Sequence, residues 1–123
     1  MWLFTAYGFF SISADGTDHV YIRARRRSHL ENLVRRFRHI FQNPLISKTP
    51  HRDYAFRMRP VKAEWAVCVG AMAAEQNWSN FKDEATKRLD LTDPKYIDAL
   101  HEIWRIMHKY QGGNVIRKRV ARG

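Results

Sequence analysis

Seven arginines fall within the nineteen residues from Arg23 to Phe41, RARRRSHLENLVRRFRHIF, against a single acid, Glu31. An arginine fork makes paired hydrogen bonds to one oxyanion and stacks on flat rings, so a cluster of this kind suits phosphate. Arg23 and Arg25 alternate with Val20, Ile22 and Ala24, which places them on one strand face with Tyr21. Arg57 and Arg59 alternate in the same way against Tyr54, Phe56 and Met58. If the two strands share a sheet, Tyr21, Arg23, Arg25, Arg57 and Arg59 make a cationic face with a ring on which an unpaired base can stack. Arg26 and Arg27 lead into a helix, and Arg35, Arg36 and Arg38 lie off its apolar stripe, with Arg35 and Arg38 three apart on one face. Arg117, Lys118 and Arg119, near the end of the chain, read equally as a phosphate-gripping arm or a solubilising end. The ordinary account of such residues is a solvated surface. Against it stands their concentration, because residues 77 to 111 carry six basic and six acidic side chains.

Catalytic and metal chemistry is weaker. His101-Glu102 resembles the start of a zinc-protease helix, but position 105, where the second histidine belongs, is Arg. His101 and His108 stand two helical turns apart, too far for easy co-ligation. Lys82, Asp83 and Glu84 are residue types that hold a metal for phosphodiester cleavage. In the first turn of a helix, however, acids are expected because they complement its dipole. Cys68 lies between Trp65 and Met72 on an apolar stripe, as a buried structural thiol does. No catalytic residue, metal or cofactor is implied.

The chain has 123 residues, 45% of them hydrophobic, with four Trp, seven Phe and five Tyr, enough for one domain with a core and against disorder. Lys and Arg number 22 and Asp and Glu 12, a formal charge of +10 that favours nucleic acid, an acidic protein or an anionic surface as partner. A single cysteine fits a reducing compartment. The opening residues lack a basic segment of the signal-peptide kind. No apolar run reaches the ~20 residues that span a bilayer. A soluble, cytoplasmic protein with no membrane partner is expected.

Those groups need elements to hold them. Trp2 to Ser13 reads as a strand broken or bulged at Gly8, and Asp15-Gly16 turns it back into His19–Arg25. Ser28 with Glu31 makes a capping box for a helix whose stripe is Leu30, Leu33, Val34, Phe37 and Phe41, ending at Asn43-Pro44. Leu45 to Ser47 and Asp53 to Arg59 supply one or two further strands. Three helices follow: one with Val61, Trp65, Cys68, Val69 and Met72 inside, one capped by Ser79 or Asn80, and one begun by Thr92-Asp93-Pro94. The last has a stripe of Ile97, Leu100, Trp104 and Met107 and stops at Gly112-Gly113. Strands and helices segregate, which argues for an α+β fold. A small, mainly antiparallel sheet (hairpin, helix, one or two further strands) is covered by helices, with a helical C-terminal half. Residues 1 to 111 form one domain, and 112 to 123 a basic, flexible tail.

Several pieces, in order, resemble an uncharacterised bacterial family of short proteins that open Met-Trp-Leu-Phe-Thr. They are MWLFT, GFFS, YIRAR, TPHRDYAFR, AEW, NFKDE and HEIW, over roughly residues 1 to 111. The resemblance implies a bacterial context and a one-domain chain, and brings no assigned activity. The arginine run and the basic tail depart from the family's pattern.

Two functions remain. The first is a non-catalytic module that binds the phosphate backbone of RNA or DNA, as a subunit of a nucleoprotein complex. The second is an interaction subunit that docks an acidic protein through the same basic face.

Overall fold

The first 79 residues place five strands against two helices. The structure is a computed structural model, and it describes residues 1 to 112. It has the α+β architecture expected, with a five-stranded antiparallel sheet, four helices among the described residues, and a helical C-terminal part. The chain divides into two compact units, Met1–Ser79 and the part from Asn80 onward.

In the first unit β1 (Trp2–Thr5) and β2 (Gly8–Ala14) form a tight hairpin in place of the single broken strand expected. Ala6 and Tyr7, neither a typical turn residue, make the reversal because Thr5 supplies the missing bonds. Its hydroxyl oxygen accepts from the N–H groups of Tyr7 (3.0 Å) and Gly8 (3.1 Å) and donates to the Gly8 carbonyl (2.8 Å). Gly8 has φ +148°, and a Cβ there would overlap the ring of buried His29, so the position demands glycine. The turn at Asp15-Gly16 then leads into β3 (Val20–Ala24), as the alternation predicts.

α1 (Arg27–Arg36) is shorter than its stripe suggests and starts differently. Arg26 occupies the N-cap position with no side-chain cap, and Glu31 pairs with Arg27 at 3.7 Å, so the Ser28–Glu31 capping box does not form. The chain leaves the helix at Phe37 and turns through residue 40, which lets Phe37 and Phe41 both reach the core. β4 (Ser47–Lys48) and β5 (Phe56–Met58) complete the sheet in the order β1-β2-β3-β5-β4. β5 is brief because Thr49 to Tyr54 is a turn, closed by the Thr49 hydroxyl donating to the Tyr54 carbonyl (2.8 Å). α2 (Lys62–Ala74) follows.

Both helices of this unit pack on one sheet face. Phe10, Ile12, Val20, Ile22, Ala24 and Met58 from the strands meet Leu30, Leu33, Phe37, Phe41, Trp65 and Cys68. Strand alternation sends the residues between them to the other face.

The second unit holds α3 (Phe81–Leu89) and α4 (Pro94–Gln111). Asn80 caps α3 by accepting from the Asp83 N–H (3.0 Å), and Asp93 caps α4 by accepting from the Tyr96 N–H (3.3 Å). Ala85, Leu89, Tyr96, Ile97 and Leu100 are buried. Trp104 and Met107, expected in the buried stripe, are instead about half exposed, at 52% and 54%. At 1.5 Å per residue α3 covers about half the length of α4, so the stripe outruns its partner. No helix among the described residues is long and apolar enough to cross a membrane.

Candidate functional site

The uncovered sheet face gathers the residues that can bind an anion. Cross-strand register runs a single row over it: Trp2 of β1, Ser11 of β2, Arg23 of β3, Arg57 of β5 and Ser47 of β4. Arg23 and Arg57 are direct partners in the ladder, an arrangement that is unfavourable for like charges. No carboxylate pairs with either one among the described residues. The Arg23 Nη2 donates to the Ser11 hydroxyl (2.7 Å), and its guanidinium lies 4.8 Å from the centre of the Tyr54 ring. The Arg57 guanidinium lies 5.2 Å from the centre of the Tyr21 ring, and its Nε–H is buried without an acceptor. Cation–π contacts of this kind return about 0.5–1 kcal/mol at exposed sites. A buried donor left without a partner costs about 1–3 kcal/mol. The pair is held in place but not neutralised.

Tyr54 belongs to this face, not to the core face with Phe56 and Met58 as alternation predicts. It precedes β5, in the turn, so strand parity does not govern it. Its ring packs toward Phe9 (6.3 Å between centroids) and carries Arg25 as well, at 4.3 Å. Arg25 also donates to the Asp53 carbonyl (3.2 Å) and carboxylate (3.3 Å). At the other end Arg59 pairs with Asp15 at 2.5 Å and reaches the Thr17 hydroxyl at 3.3 Å. The Asp15 carboxyl is pulled down to about 2, first by the Thr17 hydroxyl and then, against some burial, by Arg59. The outer arginines are therefore each matched by an acid, and the central two are not.

The remaining predicted residues lie elsewhere. Arg26 and Arg27 stand at the start of α1, which has no side-chain cap, and the helix dipole adds to the positive potential there. Arg35 and Arg36 are on the outer side of α1, across the sheet from Arg23 and Arg57, so the strand and helix arginines do not form one surface. Arg35 donates to the Asn32 side chain (3.2 Å). Arg36 joins Glu75, the C-cap of α2, at 2.5 Å, and the Tyr7 hydroxyl donates to the same carboxylate. Glu75, with Tyr7, raises the pKa of the Arg36 guanidinium further. That cluster ties α1 to α2. Arg38, expected on the same helix face as Arg35, lies in the turn beyond the helix. Arg117, Lys118 and Arg119 fall outside the described residues.

Four aromatic residues complete the open face, and sequence reasoning gave none of them a role there. Phe4 stacks on Phe9 at 4.4 Å and 16°, Trp2 meets Phe9 edge-on at 5.7 Å and 87°, and Tyr54 continues the series toward the arginines. Trp2 is 68% exposed. The signal was present in the parity of Phe9 with Ser11 and Ser13, but it extends to Trp2 and Phe4 only once the turn at Ala6-Tyr7 is known.

The other candidates have structural partners. Lys82 Nζ lies over the Trp104 ring at 4.5 Å, Glu84 pairs with Arg88 at 3.4 Å, and His108 stacks on Trp104 at 5.0 Å. Cys68 is fully buried, and that burial, with Glu75, pushes its thiol up to about 12. Among the described residues no group of three His, Cys, Asp or Glu side chains converges. No family model matches the chain, and no curated protein or solved structure matches it either.

Proposed function

We propose that the chain is a non-catalytic nucleic-acid-binding module of the cytoplasm, a subunit of a nucleoprotein complex, that lays a phosphate backbone on the open face of its sheet. The observation that carries this reading is the Arg23–Arg57 pair. Arg23 and Arg57 are paired directly across the ladder with no acid on either among the described residues, and the Nε–H of Arg57 lacks an acceptor. A phosphate over the pair offsets their repulsion and offers oxygens to both forks. The formal charge of +10 supplies long-range attraction in the same direction. Contacts of this type position a backbone and do not read bases, so RNA and DNA of unrelated sequence are both ligands.

The test is fluorescence anisotropy with unrelated labelled oligonucleotides across a salt series. Arg23→Gln and Arg57→Gln are each expected to weaken every oligonucleotide about equally. The slope of log affinity against log salt should shrink by about 0.7–0.9 for each phosphate no longer neutralised. Unchanged slopes in both variants would remove this pair from the site. A parent protein that binds no nucleic acid at low salt overturns the reading and leaves an acidic protein as the partner of the face.

A further inference from the structure

We infer that the strand held on this face is single, and that the exposed ring of Trp2 takes one of its unpaired bases. This rests on the nucleic-acid reading above and narrows it. Trp2 is a large apolar side chain left 68% exposed, yet it is not a loose end. Beyond it the strand is anchored in both directions, with the Met1 nitrogen donating to the Ile12 carbonyl (2.8 Å) and the Ile12 N–H donating to the Met1 carbonyl (2.8 Å). Beside it the ring stands edge-on against Phe9, which is itself stacked on Phe4. A braced ring loses little conformational freedom when something settles on it.

Its position relative to the arginines gives the partner. Trp2, Arg23 and Arg57 occupy one cross-strand row, on strands one, three and four of the sheet order. At about 4.8 Å per strand the ring is ~10 Å from the first guanidinium's strand and ~14 Å from the second's. A base on the ring thus leaves its flanking phosphates free to reach the forks. In a duplex the base faces are stacked inside, and a ring lying on a sheet surface meets only sugar and phosphate. An unpaired strand presents both features at once, and stacking on an aromatic platform tolerates any base. Tyr21, the ring the strand pattern offers for this role, already lies beneath Arg57.

Anisotropy with oligo-dT and oligo-rU, a hairpin duplex of equal length, and an oligo-dT of abasic sites tests the assignment. The parent should bind both single strands at least about fivefold more tightly than the duplex or the abasic strand. Trp2→Ala should lose roughly 5- to 150-fold on the single strands, the range for one stacked base, with duplex and abasic affinities unchanged. Trp2→Phe should restore most of the loss, which a folding defect would not allow. If Trp2→Ala is silent, or lowers all four ligands alike, while the Arg23 and Arg57 variants still weaken binding, the single-strand assignment falls and the phosphate-binding face stands. If the parent binds none of the four, the face itself is misread, and this inference goes with it.

Discussion

The two faces of the sheet are made from the same strands by opposite means. On the covered face Phe10, Ile22 and Met58 are closed off by α1 and α2 in a mainly apolar cluster, with the buried His29 ring beside Phe10. On the open face, residues one position away in sequence hold an aromatic run and two unneutralised guanidiniums. Burial stabilises the first face in proportion to the area removed from water. The second is assembled from ring contacts, a serine hydrogen bond and two acids at its ends, and it retains two like charges at directly paired positions. A strand face optimised for stability would not keep that pairing, and local cost of this kind collects where a ligand is to be met.

The largest expected effect separates Phe9 from Phe10. Phe10 is wholly buried on the covered face, and Phe10→Ala should cost about 3–5 kcal/mol, a large part of a small domain's margin. Phe9 is only partly buried, so Phe9→Ala should cost clearly less than Phe10→Ala, while taking away the brace behind Trp2 and weakening oligonucleotide binding. Denaturant melts read the first quantity and anisotropy the second. Equal destabilisation by the two substitutions would mean that the open face is a second core and not a binding surface.

A smaller effect, of the opposite sign, belongs to the arginine pair. Arg57→Gln keeps a polar side chain of similar reach and removes the charge opposed to Arg23. It should leave stability unchanged or raise it by about 0.2–1 kcal/mol, the size of a cross-strand pair interaction. Loss of binding together with gain of stability in one variant would distinguish a ligand site from a solvated surface. A destabilisation of about 2 kcal/mol or more, roughly twice such a pair interaction, would show that Arg57 supports the fold through Tyr21 instead.

The covered face was the more legible of the two, for a physical reason. Period-two alternation in β2 and β3 and the spacing of Leu30, Leu33, Trp65 and Cys68 follow from burial, which every core residue obeys. The caps at Asn80 and Asp93 were legible too, because an N-cap needs only one side chain and its own helix, whereas the box at Ser28 fails because α1 already begins at Arg27, to which Glu31 turns. Three features escaped. The hairpin at Ala6-Tyr7 depends on the Thr5 hydroxyl and on the space over Gly8 that His29 fills, neither visible in a turn-residue pattern. α1 ends at Phe37 although the helical spacing continues to Phe41, since a turn can bury both rings as well as a helix can. Trp104 fits a helical stripe but meets the Lys82 ammonium at the start of α3, and periodicity does not say what a ring will face. For the candidate site, strand parity correctly joined Tyr21, Arg23 and Arg57, and it failed for Tyr54, which stands outside the strand.

The smallest effect tests the edge of the open face. Asp15 neutralises Arg59, and its carboxyl is held at about 2, against an ordinary 3.8, by Thr17 first and Arg59 after it. A carboxyl whose pKa is lower in the folded than in the unfolded chain stabilises the fold above the unfolded value. That contribution is lost as pH falls through the folded value. The parent should therefore lose this increment between about pH 4 and pH 2. Asp15→Asn should melt slightly lower than the parent at pH 7, with the gap closing across the same window. The substitution also leaves Arg59 without its acid, adding one free charge at the edge of the open face, so oligonucleotide affinity at neutral pH should rise and its salt slope steepen by about 0.7–0.9 if a phosphate takes the vacant fork. Melting curves that stay parallel from pH 7 to pH 2 would show that the clamp does nothing for the fold. An unchanged salt slope would place the edge of the binding surface inside Arg59, at Arg57.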